Sequence, residues 1–134
     1  MPFTKLRYHL IWHTYNSNNL ILPRVEPFLY KHLENIAISL NAKIIIANGT
    51  AWHIHILAGL PPSLSPARFV QKMKNLSSLE LNKSKKLNFK FYWNRGYAAF
   101  TLNPHKMDEI YWYIKNQKRH HAESTTIKNY EYQL

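Results

Sequence analysis

Two histidines one residue apart, His53 and His55 in the run WHIHIL from Trp52 to Leu57, are the residues whose type and spacing most directly imply chemistry. On a strand, positions i and i+2 project to the same face, so the two imidazoles stand side by side while Trp52, Ile54 and Ile56 point the other way, into a core. Two neutral imidazoles make half of a metal site. The plainer alternative is a pair of hydrogen-bonded surface histidines, because an H-x-H run arises easily in a chain with 8 histidines. Near the C-terminal end, Tyr113 and Gln117 in YIKNQKRHH are i and i+4, with His120 on the same arc, beside an apolar stripe of Met107, Ile110, Tyr111 and Ile114. If one of that pair faces a cleft, the other is close to it. Taken alone, a tyrosine at a helix edge more often packs its ring and wets its hydroxyl.

What the chain lacks narrows the chemistry further. Its acidic residues are Glu26, Glu34, Glu80, Asp108, Glu109, Glu123 and Glu131, with no pair near a strand end. Two-metal nucleases and polymerases need several converging carboxylates and glycosidases need a facing pair, so ligands for any phosphate chemistry fall to histidine or amide oxygen. The absence of cysteine excludes disulfides, thiolate zinc sites and cysteine nucleophiles. Against these few acids stand 18 Lys and Arg, a net charge of +11 that points to a polyanionic partner. The candidates for DNA contact are Arg68, Lys72 and Lys74, with Lys83, Lys85 and Lys86 in a loop, Arg95 at a strand break, and Arg119, His120 and His121. Tyr92, Trp93 and Tyr97 could stack on bases, although aromatic strand residues are more often core. No run approaches the ~20 apolar residues of a membrane span, and no secretory signal is visible, which reads as a soluble cytoplasmic protein with no membrane partner.

The elements that must position these residues follow from periodicity. Lys5 to Tyr15 reads as a strand, and Leu29, Leu33, Ile36 and Leu40 form the stripe of a helix from Glu26 to Leu40. Ala42 to Ala47 and Trp52 to Leu57 read as a hairpin turning at Asn48-Gly49. Ser65-Pro66 caps a second helix with Phe69, Val70, Met73 and Leu76 on its apolar face, followed by a mobile Lys-rich loop from Ser77 to Lys90. Phe91 to Thr101 is a strand broken at Asn94 to Gly96, Asn103-Pro104 opens one helix running to about Ala122, and residues 123–134 are a polar tail. With 46% hydrophobic residues in 134, a single domain over residues 1–134 can bury a core. The order β-α-β-β-α-β-α predicts an α+β fold: a ferredoxin-like or RRM-like split βαβ antiparallel sheet, helices on one face, and an added C-terminal helix carrying the tyrosine.

The series WHIHIL, GLPP, SPARFVQKMKNLSS, YWNRGYAAFT and YIKNQKRHH, in this order between Tyr8 and His121, resembles the HUH single-tyrosine transposases, the TnpA family of insertion sequences that move as single-stranded DNA. The resemblance implies that His53, His55 and Gln117 bind a divalent metal, Mg²⁺ or Mn²⁺, and that Tyr113 is the nucleophile. It further implies a 5′-phosphotyrosine intermediate, a homodimer, and recognition of single-stranded DNA hairpins at element ends; Lys74 matches a lysine of the family's second helix. Lys118, Arg119, His120 and His121 would supply positive charge near the phenol. Family members commonly carry an acidic residue before the first histidine, where this chain has Trp52, which offers no carboxylate. The turn from Asn16 to Asn19 also lacks the basic residues common there. A domesticated relative that processes chromosomal palindromes has the same residues. A noncatalytic single-strand binding module shares the sheet but needs an aromatic RNP-type signature that is absent. A metallohydrolase without a covalent step would not need Tyr113.

Overall fold

The computed structural model describes residues 3–132. Its four strands are β1 (Leu6–His13), β2 (Lys43–Gly49), β3 (His53–Leu60) and β4 (Ala98–Thr101), and its helices are α1 (Glu26–Ser39), α2 (Pro66–Ser84), α3 (Met107–Lys115) and α4 (Gln117–Ala122). All strand pairs are antiparallel in the order β2-β3-β1-β4. This is the predicted split βαβ sheet. Among the described residues no helix is long and apolar enough to cross a membrane.

Alternation on the two central strands divides the molecule into layers. Leu10 and Trp12 of β1 and Ile54, Ile56 and Ala58 of β3 meet Leu29 and Leu33 of α1 and Phe69 and Met73 of α2 in the main core. The opposite face of β3 carries Leu57, which packs with Ile110 and Ile114 of α3 in a second, smaller cluster. Both faces of β3 are therefore covered, and its residues from His53 to Ala58 are all buried.

Four local expectations are corrected. The stretch from Ser77 is not a loop: α2 continues to Ser84 and stops at Lys85, whose φ of 59° is left-handed. Met73, Ser77 and Leu81 recur every four residues on its buried side, and the serine hides that stripe from a purely apolar pattern. Ser77 Oγ accepts from Trp93 Nε1 at 2.9 Å, and the Asn82 amide accepts from Phe91 N at 2.6 Å and donates to Phe91 O at 3.0 Å. The returning strand is shorter than predicted, pairing only over Ala98–Thr101 plus a bridge between Thr14 and Trp93. Its break is real: Gly96 adopts φ 87°, and Lys74 Nζ donates to Asn94 O at 2.8 Å and Gly96 O at 2.6 Å. Asn48 and Gly49 pair with His55 and Ile54 instead of forming the hairpin turn, which is made by Thr50 to Trp52. Glycine is needed at 49 because a Cβ there would lie 2.1 Å from His53 O. Lastly, the single C-terminal helix is two, separated at Asn116 (φ −101°, ψ 20°). The extension of α2 has a measurable consequence: Leu81→Ala is expected to lower unfolding free energy by roughly 2–5 kcal/mol in chemical denaturation, where a residue in a mobile loop would cost almost nothing.

Candidate active site

β3 and β1 set the floor of the site. In their register His13 lies opposite His53 and Ile11 opposite His55, which leaves His9 on the same face, one pair further along. The four histidines 9, 13, 53 and 55 thus share the face turned away from α1 and α2, and all four are buried. Each of the predicted pair has its Nδ1 engaged: His53 Nδ1 lies 2.7 Å from Thr50 Oγ1 and His55 Nδ1 lies 2.8 Å from His9 Nε2. Their Nε2 atoms are left to point inward.

The roof is α3 and α4. Asn48 Nδ2, at the end of β2, donates to Ile114 O at 3.1 Å and Lys115 O at 3.0 Å, so the last carbonyls of α3 have a donor where the helix breaks. Lys118 Nζ adds a 2.6 Å bond to Asn48 Oδ1 and a 3.0 Å ion pair with Glu26. That docking buries Tyr113 and Gln117. Gln117 Oε1 sits 3.2 Å from His53 Nε2, so the four residues singled out in the sequence, His53, His55, Tyr113 and Gln117, do come together.

What joins them is Glu131, a residue of the predicted polar tail. After a short helical turn at Lys128–Tyr130, the chain returns Glu131 to the sheet. Its Oε1 lies 3.0 Å from His55 Nε2 and 3.4 Å from both His53 Nε2 and His121 Nε2. Its Oε2 accepts from the Tyr113 hydroxyl and from Gln117 Nε2, the latter at 3.1 Å. The tyrosine oxygen in turn accepts from Ile127 N at 2.9 Å, and its ring stacks on His120 at 4.6 Å. Trp52 does not enter the core as predicted. Being the last turn residue before β3 and not part of the strand, it stacks on the His53 ring at 3.8 Å, with edge contacts to His13 and His121.

Burial dominates the electrostatics. It lowers His53, and lowers His55 to about 4 against the opposing pull of Glu131, so both imidazoles are neutral near pH 7. His13 falls to about 4 and His9 to about 3 for the same reason, helped by the neighbouring histidines. Burial works to raise the Glu131 carboxyl, but the imidazoles of His121, His53 and His55 around it outweigh that and hold it well below the usual carboxylate range. Burial and then the Glu131 contact push the Tyr113 phenol above its ordinary range, so the hydroxyl is a protonated donor. The donor set, neutral imidazole nitrogens with an amide and a carboxylate oxygen, fits a divalent ion. An observation independent of composition agrees: His121 Nε2 is buried in the cluster without a hydrogen-bond partner.

The predicted DNA-contact residues fall in two groups. Arg68 is exposed and Lys72 half-buried on α2, across the sheet from the histidines. Lys74, lowered to about 8 by burial, and Arg95 line a groove of about 400 Å³ with Gln71, Tyr92, Trp93 and Tyr97. On α4, Arg119 pairs with Glu123 at 3.2 Å, His120 covers Tyr113, and His121 belongs to the histidine cluster. His9 and His13 had a readable signal, the even spacing of histidines in YHLIWHTY. Glu131 had none, because nothing periodic surrounds it.

Comparison with known proteins agrees with the motif series. Residues 2–117 match the family described as IS200-like transposases. The chain belongs to that family. Over 82 residues it is 37% identical to the transposase of insertion sequence IS200 from Salmonella typhimurium, a match covering 58% of this chain and 53% of that protein. The chain thus spans about half the length of the Salmonella transposases it matches. It is 25% identical over 118 residues to the ISDra2 transposase TnpA of Deinococcus radiodurans, covering 84% of each. A crystal structure from Deinococcus radiodurans R1 assigned as a transposase superposes with a TM-score of 0.69 at 26% identity, covering 87% of this chain and 93% of that one. A REP-associated tyrosine transposase bound to a REP hairpin shares the fold, with a TM-score of 0.63 at 13% identity over 89% of this IS200-like chain and 72% of the other.

The docking of α3 and α4 yields a prediction. Asn48→Leu leaves the terminal carbonyls of α3 without their donor and is expected to cost about 1–3 kcal/mol in denaturant unfolding. Proteolysis after Asn116 should accelerate in parallel.

Proposed function

We propose that this IS200-like chain is a metal-dependent single-stranded DNA transposase that cleaves and rejoins strands through Tyr113. The observation that carries the reading is the convergence of the Tyr113 hydroxyl with His53, His55 and Gln117 around one carboxylate. His53 and His55 would hold a divalent ion, Mg²⁺ or Mn²⁺, with Gln117 beside them. When bound, such an ion supplies Lewis acidity to a nonbridging phosphate oxygen. Attack by Tyr113 Oη on phosphorus forms the O–P bond and breaks the bond to the 3′ oxygen, leaving a 5′-phosphotyrosine and a free 3′-OH. In the resting chain the phenolic proton is directed at Glu131 Oε2; it must leave as the O–P bond forms, and the 3′ oxygen takes up a proton as it departs. Rejoining is the reverse attack by a 3′-OH, and it needs no nucleotide cofactor because the phosphotyrosine keeps the bond energy.

Recognition would use surfaces other than the histidine cluster. The charge of +11 favours DNA, and Arg68, Lys72, Lys74 and Arg95 stand apart from the site, with Arg119 and His120 at its rim. Family membership supports a homodimer acting on hairpins near the element ends, and a structural neighbour holds a hairpin of its own.

Two measurements test this. Tyr113→Phe keeps the ring and removes the hydroxyl, so it should bind labelled hairpin DNA normally while both nicking and the covalent protein-DNA adduct disappear on a denaturing gel. His53→Ala and His55→Ala should also abolish nicking, and Gln117→Ala should reduce it less. A Tyr113→Phe protein that nicks at the wild-type rate points instead to hydrolysis without a covalent step. For the recognition surface, hairpin affinity should fall steeply with salt and survive chelation of the metal. Arg68→Ala with Lys72→Ala should flatten the salt slope by about one unit for each phosphate that is no longer neutralised.

A further inference from the structure

The family pattern accounts for His53, His55, Tyr113 and Gln117 and leaves two groups of the cluster unexplained. These are His121 on α4 and Glu131 in the C-terminal segment. His53, His55, His121 and Glu131 each present one ligand atom within 4.8 Å of all the others. We propose that Glu131 is a direct metal ligand, with His121 beside it, so that the C-terminal segment completes a His₃-carboxylate shell selective for a transition ion such as Mn²⁺ over Mg²⁺. The inference rests on the reading of His53 and His55 as ligands and extends it to residues outside that pattern.

Spacing supports a shared ion. Ligands about 2.0–2.2 Å from one centre lie about 3.0 Å apart in an octahedron and about 3.4 Å apart in a tetrahedron. Glu131 Oε1 lies 3.0, 3.4 and 3.4 Å from the Nε2 atoms of His55, His53 and His121. Those three distances match such edges, the shortest being also a hydrogen bond between His55 Nε2 and Glu131 Oε1. Hydrogen bonding points the same way. His121 Nε2 is buried with no hydrogen-bond partner although the carboxylate is at hand, so the geometry suits a common centre better than a direct bond. The outer nitrogens of His53 and His55 are held by Thr50 and His9, the arrangement that orients ligating imidazoles.

Charge and softness agree with both. A set limited to imidazoles and an amide is neutral. Glu131 is the carboxylate of this cluster and adds the negative charge that Trp52 does not. Three imidazoles favour borderline transition ions, whereas Mg²⁺ prefers an all-oxygen shell and keeps its waters. Tetrahedral or six-coordinate, the rest of Glu131 stays in place, because Oε2 is engaged by Tyr113 and Gln117.

The test measures metal binding without DNA. Free Mn²⁺, followed by its EPR signal, is titrated with the wild-type chain and with Glu131→Gln, His121→Ala, His53→Ala and Glu123→Gln. Wild type should bind Mn²⁺ at least about tenfold more tightly than Mg²⁺ measured by competition, and Glu131→Gln and His121→Ala should each weaken Mn²⁺ about tenfold or more. Glu123→Gln, which removes the same charge from an exposed pair with Arg119, should leave the affinity unchanged. A Glu131→Gln protein that binds Mn²⁺ as tightly as wild type, or more tightly, overturns the proposal while loss of binding in His53→Ala keeps the underlying site reading intact. Undiminished binding in His53→Ala, or no binding by wild type, removes both. Should Glu131→Gln alter the thermal unfolding of the metal-free chain, Glu131→Asp decides, since a shortened carboxylate must recover part of the affinity if it ligates.

Discussion

The pairing register between β1 and β3 is the constraint on which the site depends. It places Leu10, Trp12, Ile54 and Ile56 against the two long helices and, by the same alternation, His9, His13, His53 and His55 on the other face. A slip of one residue would exchange the two sets, driving imidazoles into the main core and isoleucines toward α3. Core formation therefore selects the register, and the histidine floor comes with it. Gly49 supports the same register, because the close approach of β3 at the end of the hairpin leaves no room for a side chain.

A buried floor of histidines is costly unless its polar atoms are satisfied, and apart from His13 Nε2 the structure meets that cost locally. Thr50 and His9 engage the outer nitrogens, Trp52 covers one ring, and burial keeps the imidazoles neutral. A roof is then needed on that face, since a sheet of four strands cannot shield both sides with two helices on one. α3 supplies it through Leu57, Ile110 and Ile114, and the same docking brings in Tyr113 and Gln117. Packing and candidate chemistry share one contact surface.

The break at Asn116 reconciles the roof with the floor. An uninterrupted helix would carry α4 on along the axis of α3. The kink, anchored by Asn48 and Lys118, folds the basic segment from Lys118 to His121 back against the hairpin end and sets His121 among the strand histidines. From there the chain has only a few residues in which to reach Glu131, and the turn at Lys128–Tyr130 directs it inward.

The residues and their local geometry were legible from the sequence where the physics is local. Strand alternation decided that His53 and His55 share a face, and the cap-plus-proline signals at Ser65-Pro66 and Asn103-Pro104 marked the starts of helices correctly. Tyr113 and Gln117, read as one turn apart on a single helix, lie on either side of its break at Asn116 and meet at Glu131 Oε2. The split βαβ class followed from the sequence of elements, whereas β2, read with its hairpin partner as central, lies at the sheet edge. Other features depend on partners far along the chain. Ser77 becomes a core position only because Trp93 donates to it, Asn48 leaves the turn for a strand because α3 needs a donor, and Trp52 stacks on His53 because Thr50 to Trp52 make the turn. Glu131 is the extreme case. A carboxylate in an aperiodic polar segment has no local signature, and it acquires its place only from three imidazoles, an amide and a phenol that β3, α3 and α4 assemble around it.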